Sequence, residues 1–215
     1  MVTTVLLALF VGAVVLFVTF GPIMRRGTSR FDINVHALEH PSGRLRFRHP
    51  GPNDVSFLEG LYEDPVAIEA NFWDDESLEQ TRSMLRDPEL YGPWCSQSLL
   101  AIDVDTLAPV ALGTLGVEQA DGRHGLSIGL QVAADQRGKG YATESLAAMI
   151  AATRAATDVE IWVGTSITNH PVLHMMERLG YSPEAGSAPY TAPDGTLVES
   201  RWYRVGGDTP DPRFP

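Results

Sequence analysis

The residues best suited to chemistry lie in one stretch, Gln136-Arg137-Gly138-Lys139-Gly140-Tyr141-Ala142-Thr143-Glu144. Two glycines two apart, flanked by basic residues, make a turn whose backbone can wrap around phosphate oxygens. Glycine reaches positive φ without steric cost and lets main-chain N–H groups approach a ligand. Successive N–H groups in such a turn form an anion-binding nest. A helix that follows at once adds its unpaired N-terminal donors and the positive end of its dipole. Arg137, Gly138, Lys139, Gly140, Tyr141, Ala142 and Thr143 are therefore candidates for holding a pyrophosphate. It is not a triphosphate loop of the G-x-x-x-x-G-K-[ST] type, because Gly140 follows Lys139 and Ala133 stands where the first glycine is needed. Nor is it a dinucleotide fingerprint, since Thr143 occupies the third glycine position.

The flanking elements must present this turn. Before it, Leu126-Ser127-Ile128-Gly129-Leu130-Gln131-Val132 alternates as a half-buried strand does. After it, Ala142, Leu146, Met149, Ile150 and Thr153 recur on one helical face. Further on, Asn169-His170-Pro171 opens a second helix, with Asn169 as N-cap and Pro171 in its first turn. That helix runs to Glu177-Arg178-Leu179-Gly180-Tyr181, with Gly180 as its C-cap.

The pattern Arg137-x-x-Gly140-x-Ala142 between strand and helix, with the Asn169 to Tyr181 segment in the right order behind it, resembles the GNAT N-acetyltransferases. The wording Arg-Gly-Lys-Gly-Tyr-Ala-Thr-Glu is closest to the branch that acetylates ribosomal-protein N-termini. In the second signature Arg178 stands for the usual Lys and Tyr181 for the usual Phe. The resemblance covers about residues 43–205. It implies a mixed α/β sheet of the acyl-CoA N-acyltransferase type, with helices on both faces.

The rest of the chain reads consistently with that order. Arg44 to Arg48 alternates as a first strand whose arginines form a solvated face. A helix runs from Pro52 or Asn53 through Tyr62, and another from Asp75 through Leu85. The acidic, aromatic piece between them carries Phe72-Trp73-Asp74-Asp75, residues able to line an amine pocket. Strands follow at Ser98–Val104, Val110–Gln119 and His124–Ala133, with Asp121-Gly122 as a hairpin signal. A helix at Ala142–Thr157 and a strand at Val159–Gly164 precede the Asn169 helix. A final pair of strands ends with Leu197–Val205, and residues 206–215 form a Gly/Pro-rich tail.

Acetyl transfer to an amine makes three demands, and the resemblance assigns residues to them. Acetyl-CoA is held by the loop, by the strand edge at Gln131 and Val132, which pairs with pantetheine like an added strand, and by Asn169. The amine must lose a proton, because an alkylammonium has no lone pair. Relatives place a Glu for this where the chain has Ser127, so Glu118 on the preceding strand is the candidate base, directly or through water on Ser127. The leaving thiolate needs a proton. The two positions that supply it in relatives hold Val172 and Met176, which leaves Tyr181 and His174 as candidates. With these donors missing, a catalytically weak acyl-CoA-binding module is the rival reading.

Composition narrows the partners. A net charge of −11 argues against nucleic acid and favours cationic substrates such as amines. The single Cys95 builds no disulfide framework, and His170 and His174, an i,i+4 pair able to share a helix face, have no third ligand nearby, so no metal is expected. At the N-terminus, Val2 to Met24 carries no charge and Arg25, Arg26 and Arg30 follow at once. As a helix this run spans a hydrocarbon core of ~30 Å. It lacks the leading basic residues and small-residue site of a cleaved signal, the reading that would make a secreted protein. The expected organisation is one transmembrane anchor over residues 1–24, a linker over 25–42, the catalytic domain over 43–205 and a tail over 206–215. The arginines place the domain on the cytoplasmic side of a single-pass membrane protein. The expected partners are a small amine or a protein N-terminus, and the membrane.

Overall fold

The computed structural model describes residues 43–71, 74–87, 98–118, 125–186, 189–191 and 195–207. The expected membrane anchor and linker over residues 1–42, with Phe72, Trp73, Cys95, the Asp121-Gly122 turn and residues 208–215, lie outside them. Among the described residues no helix is long and apolar enough to cross a membrane.

The chain opens with β1 (Leu45–Arg48), whose Leu45 and Phe47 point into the core while Arg46 and Arg48 point out. A 3-10 turn at Pro52–Asp54 leads into α1 (Val55–Tyr62), which buries Leu58 and Leu61. A short helix that the sequence reading did not anticipate follows, α2 (Pro65–Asn71). Its start is encoded by Asp64-Pro65. The Asp64 carboxylate accepts the Val66 N–H at 3.1 Å, and proline is pre-set for the first helical turn. Next comes α3 (Asp75–Arg86), and the carbonyl that starts it belongs to Asp74, one residue before the start read from the sequence.

The sheet then builds up through β2 (Ser98–Asp103), β3 (Pro109–Glu118) and β4 (Gly125–Val132). After the phosphate-type loop come α4 (Tyr141–Ala156), β5 (Ile161–Ser166), α5 (His170–Arg178), a two-stranded ribbon of β6 (Tyr190–Thr191) with β7 (Leu197–Val198), and β8 (Ser200–Gly206). The six-stranded sheet has the order β1-β2-β3-β4-β5-β8. Every neighbouring pair is antiparallel except β4 and β5, which α4 connects as a crossover.

Two apolar clusters hold helices to opposite faces. Leu146, Met149 and Ile150 of α4 and Met175 and Met176 of α5 pack with Val110, Ile128, Val163 and Tyr203. On the other face Leu58, Leu61 and Leu85 of α1 and α3 pack with Leu100 and Leu112. This is the mixed α/β layering expected from the sequence.

At two of the boundaries that differ from the sequence reading the partner strand decides. The fifth strand ends at Ser166 rather than Gly164, because β8 offers Arg201 and Ser200 opposite Thr165 and Ser166. The expected Leu197–Val205 strand is broken at Glu199, whose carbonyl accepts the Ile167 N–H at 3.0 Å. Gly180 does cap α5. At φ +84° it lets the Gly180 N–H reach the Glu177 carbonyl at 2.9 Å and the Tyr181 N–H reach Met176 at 3.0 Å. That pair of bonds is the Schellman arrangement, which glycine enters without strain.

Candidate active site

The site starts from a discontinuity in the sheet. β4 and β5 pair only at Leu126↔Ile161 and Ser127↔Trp162, although β4 continues to Val132 and β5 to Ser166. On their outer sides both strands stay paired along these lengths, β4 with β3 and β5 with β8. The two inner edges therefore diverge after Ser127 and Trp162 and leave a slot ~16 Å long on the β4 side, five residues at about 3.3 Å each. Strand edges carry unpaired N–H and C=O groups, so an extended amide-bearing molecule can pair along the slot. The open end lies at the carboxyl ends of the two parallel strands, where α/β sheets place their ligands.

The loop of the first motif closes that end. Gly138 has φ +75°, and Gly140, the N-cap of α4, has φ +88° and ψ −5°. The first bond of α4 runs from the Glu144 N–H to the Gly140 carbonyl at 3.2 Å, and no side chain caps the helix. The N–H groups of Tyr141, Ala142 and Thr143 thus end the helix without intrahelical acceptors. An anion on the loop receives these donors together with the dipole of a 16-residue helix.

What fixes the loop was not legible in the motif. Arg44, read from sequence as part of a solvated face, reaches across to it instead. Its Nη2 donates to the Lys139 carbonyl at 2.9 Å, its Nε donates to Glu144 Oε2 at 3.2 Å, and Nη2 is also paired with Glu144 Oε1. The guanidinium lies 4.3 Å from the centroid of the Tyr141 ring. Tyr141 in turn donates its hydroxyl to Asp103 Oδ2 at 2.5 Å. Asp103 also accepts the N–H groups of Asp105 and Thr106 at 3.1 and 2.9 Å and the Thr106 hydroxyl at 3.0 Å. The loop is thereby clamped to the β1–β2 side of the sheet. No local signal predicts it, because Arg44 and Glu144 are a hundred positions apart.

The Tyr141 hydroxyl, followed by the Thr106 N–H, holds the Asp103 carboxyl down at about 2. The Asp103 carboxylate, followed by burial, raises the Tyr141 phenol. The depressed carboxylate contributes stability above its unfolded pKa near 4, and that contribution is lost as pH falls toward about 2. The raised phenol adds stability that is complete below about 10 and lost at higher pH. Tyr141→Phe should therefore move the acid unfolding limb to higher pH, as Asp103 returns toward its ordinary value. Circular dichroism followed from pH 6 to pH 2 reads this, and an unmoved limb would show that the bond does not form.

The other candidates come from β3, β4, the loop and the start of α5. Gln131 donates its Nε2 to the Leu61 carbonyl at the end of α1, 3.0 Å away, so its backbone and that of Val132 are what the slot edge presents. The Arg137 guanidinium is ion-paired with Asp64 at the α1–α2 junction, where Asp64 also starts α2. Arg137 thus ties the loop to the helices on the opposite face. Asn169 occupies the N-cap position of α5, and its carbonyl accepts the Val172 and Leu173 N–H groups at 3.1 Å. Its carboxamide makes no capping bond, contrary to the sequence reading, and stays half-buried near the β5 rim. Ser127 is half-buried in the last pair before the strands part. Glu118 ends β3 opposite Gly125, two residues along from the Gly116↔Ser127 pair.

Tyr181 packs its ring against the main core, and its hydroxyl lies 3.5 Å from the Val205 carbonyl of β8. His174 stands on the exposed side of α5, 3.7 Å from Glu177.

A diverging parallel strand pair closed by a glycine loop and a bare helix N-terminus suits an extended amide-bearing ligand that carries phosphate at one end. Residues 44–182 match the family model of the acetyltransferase (GNAT) domain, and the chain belongs to this family of acyltransferases. No curated protein sequence matches it. Solved structures share the fold at low identity. A GNAT-family acetyltransferase from Bacillus anthracis is 16% identical with a TM-score of 0.56, over 74% of this chain and 93% of the other. The Salmonella typhimurium protein yncA, solved with its cofactor acetyl-CoA, is 16% identical with a TM-score of 0.57, over 78% and 98%. Spermidine N-acetyltransferase from Vibrio cholerae, in complex with CoA and spermine, is 15% identical with a TM-score of 0.56, over 74% and 94%.

Proposed function

We propose that the chain binds acetyl-CoA with its diphosphate on the Gly138–Thr143 loop and its pantetheine arm along β4, and transfers the acetyl group to a small cationic primary amine. The observation that carries this is the slot between β4 and β5 leading into the bare N-terminus of α4. The reaction is direct attack. The neutral amine adds to the thioester carbonyl, the C–S bond breaks, and the CoA thiolate takes a proton from solvent or from the amine. Glu118 removes the ammonium proton, with Ser127 carrying a relaying water. Asn169 faces the sulfur end.

A cationic acceptor suits the charge of −11, and spermine accompanies CoA in the Vibrio cholerae structure. The wording of the loop keeps a protein N-terminus, the acceptor of the ribosomal-protein branch, as the second acceptor class. We place the domain on the cytoplasmic face of a membrane, held there by residues 2–24.

One observation favours a weaker activity. Met176, at a position where relatives carry a proton-donating Tyr, is fully buried in the core. A chain that binds the thioester without turning it over is therefore the second reading. Calorimetry of acetyl-CoA with the full-length chain, followed by thiol release with and without spermidine, separates the outcomes. Micromolar binding with amine-dependent thiol release is expected. Binding without release under a broad amine panel would establish the binding module, and no binding by folded protein would sink both readings.

A further inference from the structure

Cations near the loop divide into those already neutralised and those that are not. Arg44 is paired with Glu144, and Arg137 with Asp64. Two others have no carboxylate partner among the described residues. The ammonium of Lys139 in the loop donates to the Gln136 side-chain oxygen at 3.0 Å. Arg178, at the end of α5, places its Nη2 3.3 Å from the hydroxyl of Thr143. Thr143 is the third residue of α4, and its N–H is one of the donors left without an intrahelical acceptor. Arg178 therefore comes from a separate helix to the rim of the loop. Both side chains are exposed. In a chain of net charge −11, two unneutralised cations at one rim form a local positive field.

We propose that Arg178 is a cofactor-binding residue that donates charge-assisted hydrogen bonds to a phosphate at the nucleotide end of acetyl-CoA, acting with Lys139 across the loop. This rests on the acetyl-CoA reading above. The guanidinium fork matches the oxygens of a phosphate, which an ammonium meets only as a point charge. Its bond to Thr143 leaves most of its five donors for the ligand. Two phosphate groups of CoA offer this contact, the diphosphate in the cradle and the 3′-phosphomonoester on the ribose. Binding of acetyl-CoA and of its 3′-dephospho analogue tells them apart.

The experiment is calorimetry of both cofactors with the full-length chain and with Arg178→Gln, Arg178→Lys and Arg178→Ala. Arg178→Gln keeps a donor for Thr143 and removes the charge, whereas Arg178→Lys keeps the charge. Arg178→Gln and Arg178→Ala should each weaken acetyl-CoA about tenfold, as loss of a charge-assisted contact does. Arg178→Lys should recover part of that loss. If the 3′-phosphate is the partner, the dephospho analogue binds the wild type weakly and is insensitive to the substitutions. If the diphosphate is the partner, both cofactors lose affinity equally. Rescue by Arg178→Gln and not by Arg178→Lys would show a structural role through Thr143 and overturn the proposal, as would unchanged affinity in all three variants. Failure of the wild type to bind acetyl-CoA would instead remove the parent reading.

Discussion

Gly140→Glu should abolish measurable binding of acetyl-CoA, a loss of at least about a hundredfold, while leaving the protein folded. Two effects act together. Gly140 sits at φ +88°, a region that costs an L-residue about 1–2 kcal/mol. A Cβ there lies 3.5 Å from Arg44 Nη2 and 3.7 Å from Glu144 Oε1, ordinary van der Waals contact that leaves the clamp on the loop in place. The decisive effect is chemical. A carboxylate on residue 140 stands at the N-terminus of α4, where the helix dipole and free N–H groups favour an anion. It occupies the cradle from within and repels the cofactor phosphates. Gly140→Asn separates strain from charge, since Asn tolerates the left-handed region and is neutral. Calorimetry and thermal melts on both variants are the measurement. The affinity order expected is wild type, then Gly140→Asn, then Gly140→Glu, with melting temperatures falling only modestly. A Gly140→Glu protein that binds as wild type would mean that the anion sits elsewhere.

The second large effect belongs to the proton. Glu118→Gln should lower kcat by about 10²- to 10⁴-fold, the usual worth of a positioned general base, and leave acetyl-CoA affinity unchanged. The acceptor amine titrates near 10, so at neutral pH almost all of it lacks a lone pair and must be deprotonated on the enzyme. The register places Glu118 on β3 within two residues of the pair that ends the β4–β5 contact. Ser127→Ala should cost far less, about tenfold or under, because a water can still bridge. Steady-state kinetics across pH with both variants is the test. A Glu118→Gln enzyme within about threefold of wild type, far below the usual worth of a general base, would remove Glu118 from the mechanism and leave solvent as the base.

The sequence carried the local half of the site. Glycine spacing, the helix after it and the Gly180 cap depend on neighbours within a few positions, and all three stand in the structure. What it could not carry is contact between distant segments. Arg44 looks like any alternating surface residue until β1 is set beside β2 and the loop comes into reach. Nothing near Arg137 in the sequence announces the Asp64 carboxylate that pairs with it. The divergence of β4 from β5 leaves no mark in either strand's pattern, since each stays fully paired on its other side. The missed α2 is different. Asp64-Pro65 was a readable start signal, hidden by the acidic and aromatic residues around it.

The sheet's break also has a thermodynamic side. Between the β1–β4 half and the β5–β8 half, only two residue pairs carry the ladder. On the acetyl-CoA reading the pantetheine arm takes the place of the missing rungs, so the substrate becomes part of the fold that it enters. Stability is then linked to metabolite level. A cofactor at about a hundred times its Kd adds about 2.7 kcal/mol to the native state. In a small domain that is a substantial share of the whole. When the acyl donor is scarce, this chain loses its ligand and a measure of its resistance to unfolding together.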